Sequence, residues 1–228
     1  VRWKVVLDYQ ARLLGLPDDW ASKQPTWSDA LRLLRDVSGA AGVVVATNGI
    51  VGNNTHRPLD VEEFRGFVLV DDYAPLVFVN GADSKSAQMF TLAHELAHVA
   101  FGSSAAFDLR QLQPAGNATE QACNRVAAEF LVPEVLLRQT WDARDPDPYE
   151  TAARTFKVSR IVAARRLLDL ALIKREDFLE FYEEYISRER RRKGTGHSGG
   201  DFYAAATQRV GIRFAVELIR ALREGRVL

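Results

Sequence analysis

The sequence predicts an α+β fold, in which a small antiparallel sheet packs beside two helices and a helical C-terminal region follows. Three observations carry this expectation. Gly42–Ala46, Gly66–Val70 and Leu76–Val79 are short runs of β-branched or aromatic residues, each bounded by Gly, Asn, Asp or Pro. After Asn80-Gly81 the apolar spacing turns helical and stays helical for most of the remaining chain. The composition, 47% apolar and 26% charged over 228 residues, is that of a globular chain with enough material for a core.

Taken in order, Val5, Val6, Tyr9, Leu13 and Leu14 recur at near-helical spacing, and Gly15 with Pro17 ends that segment. Ser28 is a plausible cap for a helix over 29–37, stopped by Ser38-Gly39. The three strand-like runs come next, with Asp71–Pro75 as the hairpin loop between the last two. Asp83 or Ser84 can cap a helix that runs to Phe101 and closes at Gly102. A loop with Pro114 and Gly116 leads to a helix over 119–131, capped by Thr119 and ended before Pro133. Helices over 134–140, 148–156, 159–170 and 174–190 follow, then a basic, Gly-rich linker through Gly200 and a last helix over 203–224. These boundaries divide the chain into a core over 1–145, a helix-turn-helix-like region over 146–190, and a linker with a C-terminal helix over 191–228.

The formal net charge of zero hides an asymmetry. Residues 1–150 carry 13 Lys+Arg against 20 Asp+Glu, and residues 151–228 carry 17 against 10. A basic half can contact nucleic acid or an acidic partner, or dock on the acidic half of its own molecule. The single cysteine, Cys123, excludes an internal disulfide and a multi-cysteine metal site, which fits a reducing, cytoplasmic setting. No run approaches the ~20 apolar residues that span a bilayer, so no membrane is expected as a partner. The opening Val-Arg-Trp-Lys lacks a signal-peptide pattern and an initiator Met, which fits a fragment or a processed chain.

The chemistry lies in Phe90-Thr-Leu-Ala-His94-Glu95-Leu-Ala-His98-Val-Ala-Phe101. On a helix His94 and His98 stand one turn apart on one face, so both imidazoles can hold one Zn²⁺. Glu95 lies beside that face and can activate water without being a ligand itself. Three ionisable groups in an otherwise apolar helix are costly unless a metal or strong partners compensate them. The bland alternative is two core histidines and a surface glutamate.

A catalytic zinc takes three protein ligands and keeps one position open. The metzincin extension fails, because Phe101 and Ser104 stand where Gly and His are required, and the inverted motif is also absent. A carboxylate from the following helix remains. Glu120 and Asn124 are one turn apart, and Ala127 and Ala128 allow close helix packing. Glu120 can ligate while Asn124 accepts the second imidazole N–H of a ligand, His94 being the favoured one. Glu129, Glu134 and Asp108 compete as ligands from less suitable positions. Tyr73, His197 and Tyr203 are the candidates for stabilising an oxyanion.

The stretch 65–98, with Arg65-Gly66-Phe67, Tyr73-Ala74-Pro75, Asp83–Gln88 and Phe90-Thr91-Leu92, resembles the ImmA/IrrE metallopeptidases. So does Glu120–Pro133, where Cys123 and Val126 depart conservatively from the family pattern. The likeness covers residues 60–185, and Gly199–Tyr203 is similar to a motif of longer members. It implies a zincin-type, gluzincin-like HExxH core with His94, His98 and Glu120 as zinc ligands and Glu95 as base. It also implies cleavage of a helix-turn-helix repressor, giving derepression of stress or mobile-element genes. Many relatives carry an N-terminal helix-turn-helix domain that is not visible in this sequence.

Residues 148–170 have the outline of a helix-turn-helix, and Arg160, Arg165 and Arg166 could meet phosphates. The sequence leaves nucleic acid open but favours a protein partner, because this segment follows the core closely. The expected activity is a zinc metallo-endopeptidase acting on a protein substrate. The rival is a transcriptional regulator or toxin–antitoxin component that uses the peptidase-like core for sensing or binding.

Overall fold

A computed structural model of the chain describes residues 2–52, 54–71, 73–102, 105–107 and 118–192, together with 216, 220, 221, 223 and 224. The Gly-rich segment, most of the last expected helix, Asp108, His197 and Tyr203 lie outside the described residues. Within them the fold is α+β, as expected. The elements run α1 (Arg2–Leu14), α2 (Trp27–Ala40), β1 (Val44–Asn48), β2 (Gly66–Leu69), β3 (Leu76–Asn80) and α3 (Lys85–Phe101). Then come β4 (Ala105–Phe107), α4 (Ala118–Leu131), α5 (Glu134–Thr140), α6 (Pro148–Phe156), α7 (Arg160–Asp169) and α8 (Arg175–Arg192).

The sheet has the order β1-β3-β2-β4 and is mixed, which corrects the expected all-antiparallel pairing. β2 pairs antiparallel with β3 and with β4, whereas β1 pairs parallel with β3. Residues 49–65 carry the chain past the β3 position, so the β2–β3 hairpin returns β3 alongside β1. Local residue type fixes the hairpin, where the Asp71 carboxylate accepts from the Tyr73 and Ala74 N–H groups. It says nothing about which strand the returning one joins. One sheet face places Val45, Val68, Val77 and Val79 in a shared core with Met89, Leu92, Ala93 and Leu96 of α3. On the sheet, Phe67 and Phe78 are cross-strand partners with stacked rings 5.1 Å apart.

Helix α2 begins two residues earlier than a cap at Ser28 implies. Thr26 is its cap: the Thr26 hydroxyl accepts from the Asp29 N–H and donates to the Asp29 carboxylate. The Ser38 hydroxyl donates to the Leu34 carbonyl inside the helix, so Ser38-Gly39 does not end it. In α1 the buried stripe is Val6, Gln10 and Leu14, while Val5, Tyr9 and Leu13 are exposed. Helices α1 and α4 flank α3, and the metal-ligand candidates sit where α3 and α4 meet.

Candidate metal centre

Helix α3 is fixed at both ends by the residues its sequence provides. Ser84 caps the N-terminus by accepting from the Ala87 N–H, and Gly102 closes the C-terminus in the left-handed region at φ 70°. Arg65 clamps Asp83 just before the cap at 2.6 Å. Ten residues of this helix are buried, among them His94, Glu95 and His98 at 0–1% exposure. A helix so fully enclosed has a fixed rotation, and its two histidines point together at the start of α4.

There they meet Glu120. His94 Nε2 lies 3.2 Å from Glu120 Oε2, His98 Nε2 lies 3.1 Å from Glu120 Oε1, and the two Nε2 atoms are 3.1 Å apart. These three residues form a group able to hold a metal ion. Zinc bonds to N and O of ~2.0–2.1 Å place tetrahedral donor atoms roughly 3.3–3.4 Å apart, so the observed triangle fits one small cation. The donor chemistry agrees. Burial lowers the His94 pKa, against the opposing pull of its hydrogen bond to Glu120, and so favours the neutral imidazole that metals bind. Hydrogen bonds from His94 and His98 lower the Glu120 carboxyl to about 2, so it is ionised. Two ring nitrogens converging on each other and on a carboxylate call for a proton or a cation between them.

Glu95 has a different environment. Neither of its carboxylate oxygens has a hydrogen-bond partner among the described residues. Burial, with the charge of Glu120 nearby, pushes its pKa up to about 9. Asn124, one turn after Glu120, lies close enough to His94 to oppose the effect of burial on its pKa. The competing carboxylates are engaged elsewhere. Glu129 pairs with Arg166 and accepts from the Glu134 N–H, while Glu134 pairs with Arg138 at 2.8 Å. Tyr73 stands at the hairpin tip, 95% exposed, and is not brought to the donors.

Two further residues, one on β2 and one on α1, help to position this centre in ways their sequence context did not announce. A Cβ on Gly66 would come within 2.5 Å of Thr91 Cγ2 and 2.7 Å of the Phe78 carbonyl, and 3.6 Å from Glu95 Oε1. Gly66 therefore lets β2 approach α3 beside the Glu95 carboxylate. Gln10, 1% exposed, donates from Nε2 to the Ala93 carbonyl at 3.4 Å and ties α1 to the motif helix. Its signal was a polar residue one turn from Val6 and one turn from Leu14 on a buried stripe.

Residues 42–168, more than half of the chain, match the family model of the M78 peptidases, described as the IrrE N-terminal-like domain. The chain belongs to that family. The match contains the whole donor triangle and Glu95, so an M78 metallopeptidase-type core and the observed site coincide. It also crosses the expected boundary at 145/146 and runs into α7. No curated protein matches the chain. No described helix is long and apolar enough to cross a membrane.

The arginines that gave residues 148–170 a nucleic-acid outline are engaged within the chain. Arg160 pairs with Asp147 at 3.0 Å, and Arg165 with Asp169 at 2.9 Å. Arg166 is 8% exposed, held by Glu129 and by the Val132 carbonyl. Arg166 ties α7 to the end of α4, Arg160 ties it to the cap of α6, and Arg165 pairs within α7 itself.

Proposed function

We propose that this M78 family member is a zinc-dependent endopeptidase acting on a protein, in the cytoplasm, and that its substrate is a helix-turn-helix repressor whose cleavage releases stress or mobile-element genes. The observation that carries the metal and the reaction is the triangle of His94, His98 and Glu120 donor atoms, with the unpartnered Glu95 carboxylate beside it. A zinc ion there would supply Lewis acidity, bringing the proton of a nearby water into the neutral range and polarising a peptide carbonyl.

The chain's own residues then divide the work. His94, His98 and Glu120 hold the cation, and Asn124 fixes the orientation of His94. Glu95 takes a proton from the attacking water and delivers it to the leaving amine. Burial keeps its carboxyl protonated at neutral pH in the metal-free chain, and a cation held by His94, His98 and Glu120 would favour the ionised form that this role needs. The repressor assignment rests on family resemblance and on the pairing of Arg160, Arg165 and Arg166 with carboxylates of the chain itself, which favours a protein partner over DNA. That pairing also weighs against the transcription-regulator reading.

The test is metal content of the purified chain beside Glu95→Gln and His94→Ala, followed by incubation with a helix-turn-helix repressor encoded next to it. We expect about one zinc per chain in the parent and in Glu95→Gln and little in His94→Ala. Repressor fragments should appear with the parent alone. No metal in any of the three after reconstitution sinks the peptidase reading. Metal without fragments removes the repressor and keeps the metal site.

A further inference from the structure

The helical region beyond the metal centre encloses a second feature. The loop between α5 and α6, the first residues of α6 and α7, and helix α8 surround a groove of about 540 Å³. That volume falls in the ~300–1,000 Å³ range typical of ligand sites. Its walls include Trp141, Tyr149 and Phe181, whose rings follow one another at 6.0 and 4.4 Å. Asp177 and Glu180 of α8 line the same groove and are exposed. Helix α8 lies beyond residues 42–168, so this wall is outside the part of the chain that matches the family.

We propose that this groove docks a lysine- or arginine-bearing peptide segment of a protein partner. Three observations select that chemistry. The aromatic faces attract cations through their quadrupoles. Arg160 already demonstrates this, with its guanidinium 5.5 Å from the centre of the Phe181 ring. The charge of Arg160 is matched within the chain by Asp147 at 3.0 Å and Glu150 at 3.9 Å, so it does not neutralise the α8 carboxylates. Asp177 and Glu180 stand three residues apart on one helical face and add negative potential beside the rings. The same two carboxylates help push the Tyr149 phenol upward, after burial as the main cause. Their exposed position along α8 suits successive side chains of an extended segment better than an enclosed small amine. The inference goes beyond the peptidase reading and holds whether or not the chain cuts a peptide bond.

The test uses the full chain with pentalysine as probe and pentaglutamate as control, read by titration calorimetry and by the NMR signal of the Trp141 indole N–H. Pentalysine should bind and shift that signal, and pentaglutamate should do neither. Glu180→Lys should weaken binding about fivefold or more, as expected when an exposed attraction becomes a repulsion. Glu63→Lys makes the same charge change at an exposed position before β2, outside the groove, and should leave affinity within about twofold. Equal weakening by both variants, or a silent Trp141 signal, would reduce the effect to general surface charge and overturn the proposal. Lysine amide binding as tightly as pentalysine would overturn the peptide occupant.

Discussion

Helix α4 carries two glutamates nine residues apart, Glu120 in its first turn and Glu129 near its end, and the chain treats them in opposite ways. Nine residues at 100° each place them on opposite sides of the helix. Glu129 meets a permanent cation, the buried guanidinium of Arg166, and also accepts the Glu134 N–H. Glu120 meets two imidazoles, of which His94 is driven towards its neutral form by burial. At the first site the charges cancel within the protein. At the second a carboxylate stays ionised against ring nitrogens that bring lone pairs, and the unpartnered Glu95 lies close by. The contrast separates a structural ion pair from a place that needs something added.

Replacing the two glutamates tests this most directly, and Glu120→Ala has the largest expected effect. It removes one of three donors, so metal affinity should fall by about a hundredfold or more and any peptide cleavage should be lost with it. Folding should survive, because Glu120 is partly exposed at a helix start. Equilibrium dialysis against zinc, with circular dichroism as the folding control, reads both. Undiminished zinc binding by folded Glu120→Ala would remove Glu120 from the ligand set.

The HExxH helix and its partner were legible in the sequence because their determinants are local. Ser84, Gly102 and the four-residue His spacing each act within a turn or two of themselves. The same holds for the starts of α5 and α6, set by Pro133 and by Asp147 with Pro148. The parts that escaped depend on distant neighbours. Strand β4 is three residues, Ala-Ala-Phe, with no alternation to announce it, and exists as a strand through its pairing with β2. The parallel β1–β3 contact and the place of Gly66 beside Glu95 are likewise set by the packing of sheet on helix. Gly66→Ala should therefore act on both fold and site. We expect a loss of about 1–3 kcal/mol in denaturant unfolding, since its nearest obstacle includes the Phe78 backbone. Unchanged stability would show that β2 can move away from α3 at little cost.

The Arg166–Glu129 contact gives the opposite pattern to Glu120 and the sharpest form of the comparison. Arg166→Met keeps much of the side-chain volume but leaves Glu129 without its cation and the Val132 carbonyl without its donor. Breaking a buried pair costs about 3–5 kcal/mol. Glu129 keeps 20% of its side-chain exposure and the Glu134 N–H, which lowers the expectation to about 2–3 kcal/mol. Arg165→Ala, at the neighbouring exposed pair with Asp169, should stay within about 0.5 kcal/mol. Both variants should retain the parent's zinc stoichiometry, because neither residue touches the donor triangle. Chemical denaturation and metal analysis of the same samples decide the matter. If Arg166→Met folds stably yet loses zinc, the two ends of α4 are coupled, and the division between structural pair and metal centre fails.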